Sequence, residues 1–119
     1  MSITNVISNT RTVFKDIIVR NRTDMNLKNL HLSYEGVDRP VLNISDLPKS
    51  QQIKKSLLIN YLTEPTKLLL VYKLNDDAEK KVLAYDNICR DDLRTLTLTI
   101  LNDNDGLKVD SSVDSEEYQ

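Results

Sequence analysis

The sequence has few of the residues on which several kinds of functional site depend. Its 119 residues include one cysteine, one histidine, two glycines and no tryptophan. A single cysteine permits no intrachain disulfide, so the fold must depend on packing and strand pairing, as is usual in a reducing compartment. Two glycines are too few for a Gly-rich phosphate-binding loop, which excludes nucleotide binding of that kind.

Long hydrophobic runs are also missing. The longest unbroken apolar run, Leu68 to Tyr72, is far shorter than the about 20 residues that a membrane-spanning helix needs. Residues 1–11 have neither a basic start nor a continuous apolar stretch, so they do not have the pattern of a secretory signal. We therefore expect a cytoplasmic protein with no membrane contact.

Catalytic chemistry has few groups to use. The strand phasing predicts that His31, the one imidazole, faces solvent between Asn29 and Ser33. Nothing local orients this histidine, and only Arg90 lies next to the single thiol, Cys89. We therefore expect no enzyme, no catalytic residue and no cofactor.

Acidic clusters raise the question of calcium, because hard cations need several oxygen ligands. The nearest match to an EF-hand loop has Gly106 at its sixth position, which puts Leu101 at the first, where a ligand oxygen is required. Acidic pairs at 76–77 and 91–92 lie in two predicted loops, and a weak cation site between those loops is an open alternative. We predict no metal ligand.

Nucleic-acid binding has weak support. The basic residues are scattered or paired and lie among acids, and aromatic residues make up 5% of the chain. We expect no specific DNA or RNA contact.

The clearest pattern that is present is the alternation from Arg94 to Leu101. It places Leu96, Leu98 and Ile100 on one face of a strand and Thr95, Thr97 and Thr99 on the other. Weaker versions of this pattern, separated by turn clusters, predict six further strands. The seven segments are 13–21, 27–35, 41–44, 51–61, 67–74, 80–85 and 94–101.

Seven short strands with a turn every 8 to 15 residues or so predict an all-β, immunoglobulin-like antiparallel β-sandwich, with a small β-barrel as the alternative. Pro40 marks the strand after it as an edge strand, and the strand at 67–74, apolar on both faces, is expected to be central. Ile53, Leu57, Ile59 and Tyr61 keep one phase in the strand at 51–61. The helix formers there leave a helix as an alternative.

A short motif adds a resemblance. Ile44-Ser45-Asp46-Leu47-Pro48-Lys49 lies between two predicted strands. Through this motif, the region from Leu27 to Leu58 loosely resembles bacterial immunoglobulin-like and fibronectin type III-like modules. The resemblance implies a role in assembly or adhesion. The chain lacks the buried Trp and paired Cys of antibody-type domains, and a Lys follows Leu-Pro where Gly is usual.

The charge is distributed unevenly along the chain. Residues 103–119 carry six acids and one lysine, while the rest carries 15 basic and 12 acidic residues. We expect residues 1–12 to form an N-terminal arm or edge strand, residues 13–102 a sandwich domain and residues 103–119 an acidic tail, disordered from about Gly106 onward.

These observations favour a non-catalytic interaction or assembly module that binds a protein partner through a sheet face, an edge strand or a loop end. The candidate surface is the row Thr95, Thr97 and Thr99, although Thr also simply suits an exposed strand. If this strand lies at a sheet edge, it could take up an added strand or self-associate. A carbohydrate- or small-ligand-binding module is the alternative.

Overall fold

The computed structural model describes residues 13–74, 78–104 and 106–114. These residues form eight β-strands. The strands are β1 (Phe14–Asn21), β2 (Leu27–Tyr34), β3 (Leu42–Leu47), β4 (Gln52–Leu58), β5 (Thr66–Tyr72), β6 (Lys80–Ile88), β7 (Leu96–Asp103) and β8 (Gly106–Val113). The described part of the chain contains no helix with the length and apolar composition that a membrane crossing requires.

The eight strands pair into two separate four-stranded sheets. One has the order β4-β1-β7-β8 and the other the order β3-β2-β5-β6. This confirms the predicted all-β sandwich, with one strand more than the seven expected. The first sheet is mixed rather than purely antiparallel, because β1 and β7 run parallel.

The core lies between the two sheets, and period-two alternation selects its residues. Leu96, Leu98 and Ile100 of β7 are buried, with at most 1% of their surface exposed, while the threonines between them face outward and are half-buried. The inward side chains of the other strands complete the core, which is mainly leucine, isoleucine and valine. Burial of these side chains is the main term that stabilises the fold.

Three local predictions are confirmed. The strand after Pro40 is the edge strand β3, and β5 is central between β2 and β6. The segment at 51–61 contains strand β4 and not the alternative helix. The shared phase predicted for this segment holds as far as Ile59, which is buried, and is wrong for Tyr61, which is 80% exposed.

The predicted disorder from about Gly106 onward is wrong for residues 106–114, because Gly106–Val113 form the edge strand β8. Leu107 is buried in the core, and Asp114 N donates to Thr95 O at 3.0 Å. Pairing with all of β7 and the packing of Leu107 offset the entropy lost on ordering an acidic, serine-rich segment. The sandwich domain therefore extends beyond 102, while residues 1–12 and 115–119 lie outside the described ones.

Candidate functional site

The row Thr95, Thr97 and Thr99 lies on the outer face of the mixed sheet. Thr97 is opposite Ile18 of β1 and Ser112 of β8, and Thr99 is opposite Arg20 and Asp110. Each of the three threonines is half-buried. The row is thus part of a wide, mostly polar sheet face.

Strand β7 is not at a sheet edge. It pairs with β1 on one side and with β8 on the other, so its backbone is hydrogen-bonded along both sides. The condition under which the Thr strand could accept an added strand is therefore not met. Among the described strands, β4, β8, β3 and β6 are the sheet edges at which a strand could be added.

The two groups considered for nucleophilic chemistry are not brought together. His31 lies opposite Val71 of β5, which lies opposite Lys81 near the start of β6. Cys89 follows the far end of that strand, about 25 Å away at about 3.3 Å per residue. A Cys/His pair is not formed. The acidic pair at 91–92 is described, but residues 76 and 77 lie outside the described ones, and the described residues contain no cluster of metal-ligating side chains.

A lysine, Lys15, is buried in the interior of the sandwich. Lys15 shares the inward phase of Ile17 and Val19 on β1, and its side chain is 1% exposed. Its Nζ donates to Asp92 O at 2.8 Å and to Arg94 O, and lies 3.7 Å from Asp92 Oδ1. Burial lowers the pKa of this amine.

Asp92 is held by a second cation. Arg94 donates to both carboxylate oxygens, through Nε at 2.9 Å and Nη2 at 2.8 Å. These bonds from Arg94, reinforced by the Lys15 charge, hold the pKa of Asp92 well below its usual range.

This ionic cluster underlies an open depression of about 700 Å³ lined by Cys89, the 91–95 loop and Asp114. The Lys15 amine itself is closed off from the depression, because the side chain is almost fully buried and bonded to loop carbonyls. Its chemistry is that of an anchor, which fixes the loop between β6 and β7 to the start of β1.

An apolar surface lies at the edge formed by β4. Phe14 is 53% exposed and is the cross-strand neighbour of Leu58, which is 38% exposed. Leu58 and Tyr61 line a groove of about 400 Å³ between the two sheets' edge regions. The residues that line this apolar groove are Tyr34, Val37, Arg39, Pro40, Val41, Leu58, Tyr61 and Leu62.

The floor of the apolar groove is fixed by local contacts. Tyr34 Oη donates to Leu58 O at 3.4 Å, and burial raises the pKa of Tyr34 to about 12. Leu62 N donates to Ile59 O at 3.1 Å, which turns the chain after β4 and directs Tyr61 outward. The groove therefore presents aliphatic and aromatic surface with Arg39 as its charged group.

Sequence reasoning missed both features for identifiable reasons. Lys15 is an odd-numbered residue of β1 like Ile17, so the alternation could have placed it inside. Tyr61 follows Ile59 in phase, and only the turn at 59–62 breaks that phase. The groove joins β2, the loop after it and the end of β4, which no local pattern brings together.

Comparison with known proteins identifies no family. No family model matches the sequence, and no curated protein matches it. An NMR structure of a protein from Eubacterium rectale has a similar fold, with a TM-score of 0.50 and 15% sequence identity over 89% of this chain and 93% of that one. At this identity the likeness concerns the fold alone.

Proposed function

We propose that this protein is a non-catalytic interaction or assembly module that binds a protein partner at the apolar groove and the adjoining edge of β4. One observation carries the proposal. Of the five large hydrophobic side chains that are exposed in the described residues, Phe14, Leu58 and Tyr61 meet at this one edge. Exposed apolar clusters with aromatic members are typical of protein interfaces.

The outward backbone groups of β4 have no strand partner among the described residues, which supports an extended partner segment. Asn21 N donates to Gln51 O, and Ile59 N donates to Val13 O, so the odd-numbered residues of this strand bond to β1. The N–H and C=O groups of the even-numbered residues, ending at Leu58, consequently face away from β1. A strand added there would run directly to the groove.

Charge favours an acidic partner segment. Lys54 of β4 has a side chain that is 63% exposed and makes only an exposed ion pair with Asp16 at 3.5 Å, which contributes little. Arg39 lines the groove itself. A segment with two apolar side chains for the groove and an acidic residue at each side would complement this edge.

The outer face of the mixed sheet would form part of the same partner surface. Phe14 and the row from Thr95 to Thr99 both lie on the outer face of the mixed sheet, on neighbouring strands. A folded partner that covers the groove would therefore extend over these threonines. The loose resemblance to bacterial immunoglobulin-like and fibronectin type III-like modules is in keeping with such a role.

A carbohydrate- or small-ligand-binding module is the alternative. Tyr61 offers an exposed ring on which a sugar could stack, but aliphatic side chains make up most of the groove lining. Sugars need several convergent hydrogen-bonding groups, and the groove has few. We therefore favour a protein partner, acting in the cytoplasm because the fold uses no disulfide.

The test is selection of peptides from a random display library on the full chain, followed by NMR mapping of the bound peptide. We expect enriched peptides with paired apolar residues beside an acid, and shifts confined to the groove and β4. Leu58→Asp and Tyr61→Ala should each weaken binding about tenfold or more.

Leu83→Asp is the matched control, because Leu83 is a similarly exposed leucine (44%) on β6 of the other sheet. It should leave the affinity unchanged. Peptides whose binding is insensitive to Leu58→Asp, or shifts that avoid the groove, would contradict the proposal. Tyr61-dependent binding on a glycan array, without peptide binding, would support the alternative instead.

A further inference from the structure

The other edge of the mixed sheet, β8, also has backbone groups that pair with no other described strand. Strand β8 pairs with β7 over its whole length with no register shift, and Asp114 N donates to Thr95 O at 3.0 Å. Hydrogen-bonded pairs alternate along an antiparallel ladder. The even-numbered residues of β8 therefore bond to β7, and the odd-numbered residues turn their N–H and C=O groups away from it.

One of these outward groups is already occupied. Leu107 N donates to the hydroxyl of Tyr72, which reaches across from the other sheet, at 3.1 Å. Apart from the Leu107 carbonyl, the remaining outward groups are the N–H and C=O groups of Val109, Ser111 and Val113. Because β8 ends the sheet order, the described residues offer these three no backbone partner.

The other edges carry features that discourage pairing with a second copy of this chain. Register shifts interrupt the pairing of β3 and of β6. Strand β4 carries two neighbouring lysines, Lys54 and Lys55, whose like charges would repel a second copy although they would attract an acidic segment. Strand β8 has a single lysine, Lys108. Bulges and lysines of this kind are common protection against edge-to-edge association. Strand β8 contains no proline and no shift, and its charges are of both signs.

We propose that a second copy of this chain pairs with β8, strand against antiparallel strand, about a two-fold axis at Ser111. In this register Ser111 faces Ser111 of the second copy, and Val109 faces Val113. All three outward residues then exchange hydrogen bonds, about six in total, and the contact between Leu107 and Tyr72 is left intact.

The side chains fit the same register. On the outer face, Lys108 lies opposite Asp114 of the second copy and Asp110 lies opposite Ser112, so each end carries an ion pair and a hydrogen-bonding pair. On the inner face, the half-buried Val109 and Val113 cover each other. An axis at Val109 would instead require the Leu107 N–H, which Tyr72 already holds.

The dimer follows from the β8 edge and is independent of the groove. It would join two mixed sheets into one of eight strands, with a β4 edge at each end about 34 Å apart at about 4.8 Å per strand. Two partner sites would then face away from the dimer interface. Such two-fold interfaces between identical patches are the commonest form of protein self-association.

The test measures the mass of the full chain by analytical ultracentrifugation over a range of concentrations and salt. We expect a dimer that weakens as salt rises, because its ion pairs are exposed. Ser111→Pro should give a monomer, because it removes the outward N–H at the centre of the proposed interface. The monomer should stay folded, because proline is tolerated at edge positions whose N–H faces away from the sheet. The matched control is Ser56→Pro, at an outward-facing position of β4, which should remain dimeric.

A charge swap tests the register. Lys108→Asp should raise the dissociation constant about tenfold, and adding Asp114→Lys should restore it to within about threefold. Thermal unfolding of each variant confirms that the monomer is folded. A chain that stays monomeric up to about 1 mM, a dimer that survives Ser111→Pro, or a charge swap that fails to restore the dimer would overturn the proposal.

Discussion

The hydroxyl oxygen of Tyr72 accepts a hydrogen bond from Leu107 N at 3.1 Å and so joins the central strand of one sheet to the edge strand of the other. Tyr72 is 5% exposed and Leu107 3% exposed, so this bond lies in the core. A Cβ atom on Gly106 would come within 2.6 Å of the same hydroxyl oxygen. The approach of β8 to Tyr72 therefore requires glycine at 106.

We predict that Tyr72→Phe lowers the free energy of unfolding by about 1–3 kcal/mol, because the buried Leu107 N–H loses its partner. Gly106→Ala should also destabilise, through the clash with the hydroxyl. In the Tyr72→Phe background the same Gly106→Ala change should cost much less, since the nearest remaining ring atom is 3.8 Å away. Urea unfolding of the four chains forms a double-mutant cycle, and strictly additive losses would disprove the contact.

Truncation tests whether β8 is part of the domain. A chain ending at residue 105 loses the buried Leu107 and the whole pairing partner of β7. We expect a loss of stability of at least about 3 kcal/mol, judged from the usual cost of deleting one buried leucine side chain. A chain ending at residue 114 keeps β8 and should unfold at the same temperature as the full chain. Equal midpoints for both truncations, measured by circular dichroism, would contradict this.

The change in the free energy of unfolding at acid pH depends on Asp92. Its pKa is lowered in the fold, chiefly by the bonds from Arg94, so the unfolded chain takes up this proton first as the pH falls. Asp92→Asn should cost about 1.5–3 kcal/mol at neutral pH. That difference should shrink as the pH falls below about 4, the ordinary pKa of aspartate.

The matched control for Asp92→Asn is Asp16→Asn, which removes the charge of the exposed pair with Lys54 and keeps an oxygen that can accept from Ser56 Oγ. Its effect should stay below about 1 kcal/mol. Denaturant unfolding between pH 2 and pH 8, roughly the range over which carboxylates titrate, measures both variants. A cost of Asp92→Asn that does not change with pH would contradict the role of its charge.

The stability of the fold at alkaline pH depends on Tyr34, whose pKa is raised by burial from 10.0 to about 12. Between these values the unfolded chain loses the phenol proton while the folded chain keeps it, so stability falls as the pH rises. Tyr34→Phe should remove this part of the decline. The reference is the difference in stability between the unchanged chain and Tyr34→Phe at pH 8, where the phenol is protonated in both the folded and the unfolded state. A difference that is the same at pH 8 and at pH 11 would contradict the prediction.

Lys15 shows what a local pattern can reveal and where it fails. In β1 the alternation that buries Ile17 and Val19 also buries Lys15. A charged residue at an inward position implies a buried partner. The sequence cannot identify that partner, because the carbonyls of Asp92 and Arg94 come from a loop more than 70 residues away and lie beside β1 only through the parallel pairing of β1 with β7.

Side-chain alternation and the missing N–H of proline are local properties, and they predicted the all-β class, the central position of β5 and the edge position of β3. The internal position of the Thr strand and the ordering of β8 became visible only in the folded chain. The fold also brings Phe14, Leu58 and Tyr61 together. Strand order and the ordering of a polar segment depend on long-range pairing and burial, whose free energy no local pattern contains.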